Sequence, residues 1–263
     1  MPKKKLILAF FFFAFFFFPL FTYAAVVGRE VEYKQGDALL QGYLAYEDSA
    51  KEKRPGVIIV HEWKGLNEYA KSRARQLAEL GYVALAADIY GKGIRPESHE
   101  EAAKVSGAYR SDRNLTRARG KAALDFLRSQ DGVDRNKIAA IGYCFGGMTA
   151  LEMARAGFDL KGAASFHGFL ATPAPAGPND IKAKIVVFHG KEDKFIPEEE
   201  VKAFKEEMAR AKADFQFIVL EGAVHSFTVP QAGGDKSTGM AYNEEADKRS
   251  WAMLLDFFDK IFA

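Results

Sequence analysis

The chain has 263 residues, and its 37 Lys and Arg against 35 Asp and Glu give a formal net charge of +2. This near-neutral balance gives no electrostatic argument for a nucleic-acid partner. Cys144 is the only cysteine, which excludes an internal disulfide and leaves either a reactive thiol or a buried inert one.

Residues 1–24 are predicted to be a secretory signal peptide. Three lysines at 3–5 precede an almost unbroken apolar run at 6–21, and small residues then favour cleavage after Ala24. The alternative is an uncleaved anchor, but the run falls short of the ~18–20 residues that a membrane span needs and contains Pro19. We therefore expect a secreted or periplasmic protein with no stable membrane association after cleavage.

Residues 25–263 have a size that suits a single α/β domain with a well-filled core. Two runs that alternate apolar and polar residues flank the turn at 35–37, which predicts an antiparallel hairpin at the sheet edge. Residues 56–60 form a β-branched run that is typical of a strand buried on both faces. The predicted strands are 29–33, 38–46, 56–60, 82–87, 138–141, 162–166, 184–189 and 215–220. The predicted helices are 68–80, 97–110, 116–130, 148–156, 198–212 and 243–262, with a break at 111–114 and a turn at 131–134.

Strands that alternate with helices of this length predict the α/β class, with a mostly parallel, doubly wound sheet flanked by helices. Between strand 138–141 and helix 148–156 lies Gly142-Tyr-Cys-Phe-Gly146. This G-x-nucleophile-x-G pattern is the nucleophile elbow of the α/β-hydrolase fold, with cysteine in place of the usual serine. The glycines allow a tight turn that presents Cys144 over the end of the sheet.

Four loops that follow predicted strands carry reactive groups, namely Glu62, Cys144, Asp193 and His225. Functional groups collect at the carboxyl ends of strands in such sheets. The helix N-terminus behind Cys144 favours a thiolate nucleophile, with His225 as base and Asp193 holding the imidazole tautomer. The chain order nucleophile, acid, histidine is that of α/β-hydrolases.

Other interpretations of individual residues are weaker. Asp193 also suits a helix cap ahead of Pro197, which is compatible with catalysis. The other four histidines are predicted to be structural or, for the one on the polar helix, solvated: His61, His167, His189 and His99.

On these residues the chain resembles the dienelactone hydrolase family. The matching pieces, in order, are His61-Glu-Trp-x-Gly-Leu-Asn67, Ala87-Asp-Ile-Tyr-Gly91, Gly142-Tyr-Cys-Phe-Gly-Gly147, His189-Gly-x-x-Asp-x-x-Ile-Pro197 and His225-Ser-Phe227. The resemblance implies a Cys144–His225–Asp193 triad that cleaves small esters or lactones through an acyl-thioenzyme. It further implies that Glu62 points at the resting thiol and helps to generate the thiolate.

The resemblance also implies an oxyanion hole from the backbone N–H groups of Trp63 and Phe145, a monomer, and no metal or cofactor. One departure concerns the substrate. The best-known members hold a carboxylate with arginines, one of them four residues beyond the catalytic histidine, where this chain has Val229. Arg95, Arg110 and Arg113 are the candidates for a replacement guanidinium. An acyltransferase or peptidase using the same triad, and a non-catalytic thiol switch or binding protein, remain alternatives.

Overall fold

The computed structural model describes residues 25–49 and 52–263, and the predicted signal peptide lies outside them. The strands are β1 (Val26–Gln35), β2 (Ala38–Glu47), β3 (Arg54–Val60), β4 (Val83–Ala87), β5 (Val133–Tyr143), β6 (Gly162–Phe166), β7 (Lys184–Gly190) and β8 (Phe215–Leu220). The helices are α1 (Glu68–Glu79), α2 (His99–Ser111), α3 (Arg113–Ser129), α4 (Phe145–Arg155), α5 (Glu198–Ala211) and α6 (Glu244–Phe262).

The eight strands form one mixed sheet in the order β1-β2-β4-β3-β5-β6-β7-β8. The β1–β2 hairpin is antiparallel and joins β4 antiparallel, whereas all pairs from β4 to β8 are parallel. The predicted fold class and edge hairpin are therefore confirmed. The chain leaves β3 toward β4 and then crosses to β5 on the other side of β3. The carboxyl ends of β3 and β5 thus flank the point where the direction of winding reverses, which is where open α/β sheets bind ligands.

Two apolar layers cover the sheet. Along β3, Ile58 and Val60 face a layer that includes α3 and α4, while Val57 and Ile59 face a layer that includes α1 and α6. All four side chains are fully buried. A strand that is covered on both faces needs apolar residues at every position, which explains the continuous β-branched run in the sequence.

Several element boundaries differ from the sequence prediction, and three of the differences have a local physical reason. β5 begins at Val133 because 133–134 pair with the start of β3, and a register shift between Pro55 and Gly56 absorbs the extra residues. The predicted turn at 131–134 is therefore too long. α3 begins at Arg113, directly after Asp112, whose side chain accepts the Leu115 N–H as its N-cap. α4 begins at Phe145, three residues before its predicted start, because the elbow leads straight into the helix.

None of the helices in 25–49 and 52–263 is long and apolar enough to cross a membrane.

Candidate active site

A strained turn presents the Cys144 side chain between β5 and α4. Its backbone has φ 54° and ψ −114°, a conformation that non-glycine residues rarely adopt. A Cβ on Gly142 would lie 2.0 Å from the Gly146 carbonyl oxygen, and one on Gly146 would lie 2.1 Å from the Val60 carbonyl oxygen. Both glycines are thus required by close backbone contacts.

The three residues of the predicted triad lie together. His225 follows β8, and its Nδ1 is 2.8 Å from Oδ2 of Asp193, which follows β7. The other carboxylate oxygen of Asp193 accepts the Phe195 N–H at 2.9 Å, so this carboxylate is held from both sides. The His225 ring and the Cys144 side chain line the same cavity, close enough for the charge of Cys144 to act on the imidazole. All three residues are buried.

The electrostatics of His225 suit a proton donor beside a negative group. Burial on its own lowers the pKa of His225. The charges of Cys144 and Asp193 and the hydrogen bond to Asp193 outweigh it and raise that pKa to about 10. The imidazole therefore holds its proton at neutral pH while Cys144 is a thiolate, with the Asp193 carboxylate on its other side.

Glu62, which follows β3, is a buried acid whose carboxylate makes no hydrogen bond within the described chain. Burial raises its pKa to about 7, and the positive charge of His225 opposes that rise. A carboxyl group with this pKa exchanges a proton at neutral pH at little cost, as a general acid or base must.

His61 fixes the loop that carries Glu62 and Trp63. Its Nδ1 lies 2.6 Å from the Glu62 carbonyl oxygen, and its Nε2 accepts the Ile89 N–H at 3.2 Å. Burial lowers the pKa of His61 to about 4, so the ring stays neutral and both nitrogens keep these roles. The Trp63 carbonyl is held by the Tyr90 hydroxyl at 3.0 Å. The predicted structural role of His61 fits these contacts.

The two predicted oxyanion-hole groups are available for a ligand. The backbone N–H groups of Trp63 and Phe145 donate to no backbone group in the loops and turns of the described chain. Phe145 is the first residue of α4, where helix N–H groups have no partner within the helix.

His167 has a role that the sequence did not indicate. Its Nδ1 lies 3.2 Å from the Cys144 backbone nitrogen, and its Nε2 lies 2.8 Å from the Thr228 hydroxyl. Its ring packs edge-on against His225 at 5.1 Å. Burial holds the pKa of His167 well below its usual range. Its position directly after β6, at the edge where the triad collects, was the available signal.

The remaining histidines lie outside the triad. His189 packs against Phe217. His99 is exposed as predicted, but its ring also stacks on Trp63 at 5.3 Å.

Cys144 and His225 open into a cavity of about 250 Å³. Its walls are mainly apolar, and its lining comprises Trp63, Ala103, Ser106, Arg110, Cys144, Phe145, Phe169, Phe195, His225 and Met240. A second cavity of about 670 Å³ shares Trp63 and Met240 with the first and contains Glu62 and Val229.

Of the three candidate arginines, only Arg110 lines the cavity that contains Cys144 and His225. Its guanidinium lies 4.0 Å from the Phe169 ring centroid and forms no ion pair or hydrogen bond with the described residues. Arg95 instead binds Asp88 and three backbone carbonyls. Arg113 binds the Ala171 carbonyl at 3.0 Å and faces Glu152.

The described residues contain no group of three or more His, Cys, Asp or Glu side chains that could hold a metal ion.

The chain is similar in sequence and in fold to known proteins. A model of the dienelactone hydrolase family matches residues 40–262. The crystal structure of a dienelactone hydrolase-like promiscuous phosphotriesterase from metagenomic libraries is 40% identical, covers 90% of this chain and 99% of that one, and has a TM-score of 0.84. An uncharacterised protein of Caenorhabditis elegans is 41% identical over 157 residues, which are 58% of this chain and 99% of that protein. A Yersinia pestis protein named "Putative carboxymethylenebutenolidase" is 28% identical over 239 residues, covering 85% of this chain and 84% of that protein.

The raised pKa of Glu62 predicts a stability cost at neutral pH. The folded protein binds this proton more tightly than the unfolded chain, where the pKa is near 4.5, so stability falls as pH rises from 4.5 to about 7. Glu62→Gln removes that loss. We expect the difference in free energy of unfolding between the Glu62→Gln variant and wild type to shift in favour of the variant by about 3 kcal/mol as the pH goes from acid to mildly alkaline.

Denaturant unfolding at a series of pH values measures this difference. Glu79→Gln is the matched control, since Glu79 is exposed and forms no ion pair with the described residues. A difference that does not change with pH, or an equal gain in both variants, would contradict the prediction.

Proposed function

Because the chain belongs to the dienelactone hydrolase family, a family of lactone and ester hydrolases, we propose that it hydrolyses small esters or lactones through a Cys144–His225–Asp193 triad and an acyl-thioenzyme. The observation that carries this proposal is the position of His225. It is hydrogen-bonded to Asp193 and lines the same mainly apolar cavity as Cys144, whose charge acts on its imidazole. This is the arrangement that an activated nucleophile needs.

In the first half-reaction, the thiolate of Cys144 attacks the carbonyl carbon of the substrate and the C–S bond forms. The carbonyl electron pair moves to oxygen, where the N–H groups of Trp63 and Phe145 stabilise the oxyanion; each such donor typically contributes ~2.7–4 kcal/mol. When the tetrahedral intermediate collapses, the ester C–O bond breaks. The leaving alkoxide takes the proton from His225, and the acyl group stays on sulfur.

In the second half-reaction, neutral His225 takes a proton from water as the water oxygen attacks the thioester carbon. The C–S bond then breaks, which releases the acid and restores the thiolate and the protonated imidazole. Asp193 holds the ring in one tautomer throughout.

Glu62 is proposed to take up the thiol proton when substrate enters. Its pKa of about 7 suits this transfer. Its carboxylate has no competing hydrogen bond in the described chain.

The acyl-thioenzyme gives the most direct test. With an aryl ester, acid-quenched wild-type protein should gain the mass of one acyl group, located at Cys144. Cys144→Ala should show no adduct and should lose activity by about 10³-fold or more while it remains folded. Intact-protein mass spectrometry and release of the phenol measure the two effects. A Cys144→Ala variant that retains the wild-type rate would remove the triad from the mechanism.

The similar crystal structure named as a promiscuous phosphotriesterase favours a second candidate function, hydrolysis of neutral phosphotriesters. A neutral triester suits the mainly apolar cavity, and its attacked phosphorus also passes charge to an oxygen near the same N–H groups. The same wild-type and Cys144→Ala proteins, assayed with an aryl phosphotriester, test whether this activity exists and uses the thiol.

Arg110 is proposed to favour an acyl chain that ends in a negative charge. We expect Arg110→Gln to lower kcat/KM about tenfold on an aryl hemisuccinate and to leave the uncharged butyrate within about twofold, because a charge-assisted contact is lost only with the anion. Arg110→Lys should retain part of the preference. Equal losses on both esters would indicate that Arg110 supports the cavity wall rather than binding an anion.

We also propose that residues 1–24 direct export and are then removed. Secretory expression of the full chain in a bacterial host should give a mature protein that begins at Ala25, as measured by intact mass and N-terminal sequencing. Retention of residues 1–24 in the exported or membrane fraction would instead support the anchor.

A further inference from the structure

The segment between β6 and β7 forms one wall of the catalytic cavity without regular secondary structure. Residues 169–178 contain Pro173, Pro175 and Pro178 and run as an extended loop and bends. Phe169, at the start of this loop, lines the cavity, and its ring centroid is 5.9 Å from that of His225. The position of this loop therefore decides how an acyl group packs beside the triad.

The backbone of the loop is bound by charged side chains from three helices. Glu200 of α5 accepts the Leu170 and Ala171 N–H groups at 2.6 and 2.9 Å. The other contacts are Arg155 to the Leu170 carbonyl at 2.7 Å, Arg113 to the Ala171 carbonyl at 3.0 Å, Arg117 to the Ala174 carbonyl at 3.1 Å, and the Ala176 N–H to Glu207 at 2.9 Å. Each contact holds a main-chain group that a loop without secondary structure leaves unpaired.

The four of these side chains other than Glu200 also bind one another through a fifth residue, Glu152. We call this set the charge cluster: Arg113, Arg117, Glu152, Arg155 and Glu207. Glu152 is fully buried and lies 2.9 Å from Arg117 Nε and 3.1 Å from Arg155 Nη1. Arg155 pairs with both carboxylate oxygens of Glu207, at 2.9 and 2.7 Å. The cluster is therefore one connected network that spans α3, α4 and α5.

The stability that the ion pairs themselves provide does not account for the charge cluster. Replacing a buried ion-pair network by well-packed apolar side chains is often neutral or stabilising, because the charges lose their hydration. Here, apolar replacements would also leave the carbonyl and N–H groups of the loop unpaired. What the charges provide is one defined backbone path for the loop and, through it, one position for Phe169.

We propose that the charge cluster positions Phe169 and thereby sets the selectivity of the cavity for the group attached to Cys144, with Arg117 as a positioning residue. Because this inference concerns the acyl group attached to Cys144, it rests on the proposed hydrolase function. The shape of the cavity can nevertheless be measured without turnover, because Cys144 is the only cysteine in the chain.

Arg117→Gln is the most informative change. Arg117 is partly exposed, and Glu152 keeps Arg155 as a partner when it is lost. Arg128→Gln is the matched control. Arg128 lies on the same helix and likewise binds one backbone carbonyl and one carboxylate, both of Asp159, rather than the Phe169 loop.

Two readouts are compared for each variant. The first is the ratio of kcat/KM for a long-acyl or arylacyl ester to that for the acetate with the same leaving group. The second is the ratio of Cys144 alkylation rates with N-benzyl iodoacetamide and with iodoacetamide. We expect Arg117→Gln to lower both ratios threefold to tenfold, the range of one aromatic packing contact, mainly through KM for the larger ester. Arg128→Gln should change the melting temperature but neither ratio.

Phe169→Ala should lower the same ratios, and adding Arg117→Gln to it should have little further effect, because both changes act through one side chain. Independent, additive effects would overturn the proposal, as would ratios that match those of Arg128→Gln. If Arg117→Gln does not fold, Arg117→Lys is used, since the shorter reach of its single ammonium group cannot serve both Glu152 and the Ala174 carbonyl.

The two proposals fail separately. A shift in the alkylation ratio with no turnover of any ester would support the positioning role and overturn the hydrolase. Turnover through Cys144 with unchanged ratios would support the hydrolase and overturn the positioning role.

Discussion

The close approach of the elbow to β3 is the contact on which the whole site depends. Gly146 lies against the Val60 carbonyl with no room for a Cβ, so the start of α4 and the end of β3 are fixed at backbone contact. The chain that leaves β3 at this point carries Glu62 and Trp63. The contact that permits the strained conformation of Cys144 thus also places Glu62, the proposed second acid, and Trp63, one of the two proposed oxyanion donors. Strain at the nucleophile is compensated by paired strands on both sides of β5.

Three buried histidines around this turn show how environment assigns chemical roles. Burial keeps His61 and His167 neutral, and each uses a ring nitrogen to hold backbone near the nucleophile. His225 experiences the same burial, but Asp193 and Cys144 lie against its two sides and raise its pKa instead. The proposed base, His225, is therefore distinguished from the other two histidines by its charged partners rather than by how deeply it is buried. Two neutral neighbours add no competing positive charge beside it.

The sequence predicted the sheet, the edge hairpin and the residues that meet at the strand ends, because these follow from apolar periodicity and from the rule that parallel strands share a carboxyl edge. It did not predict the early start of β5, which depends on a register shift opposite Pro55. It also could not choose Arg110 from three arginines. That choice depends on which side chains Arg95 and Arg113 bind across the fold, and contacts between distant residues leave no local pattern. His167 was predicted to be structural, but its particular partners, the Cys144 nitrogen and the Thr228 hydroxyl, are likewise contacts between distant residues.

In this fold, the proposed catalytic residues and the residue proposed to set selectivity thus lie on different kinds of structural element. The proposed triad and oxyanion donors lie at strand ends and on a turn where a Cβ on Gly142 or Gly146 would clash with backbone. Phe169, which lines the cavity, belongs to a proline-rich loop. Charged side chains hold this loop, and each of them binds one or two of its main-chain groups. Changes there move the wall without moving the sulfur or the imidazole. A change of substrate can therefore arise at such a loop without a change in the proposed reaction.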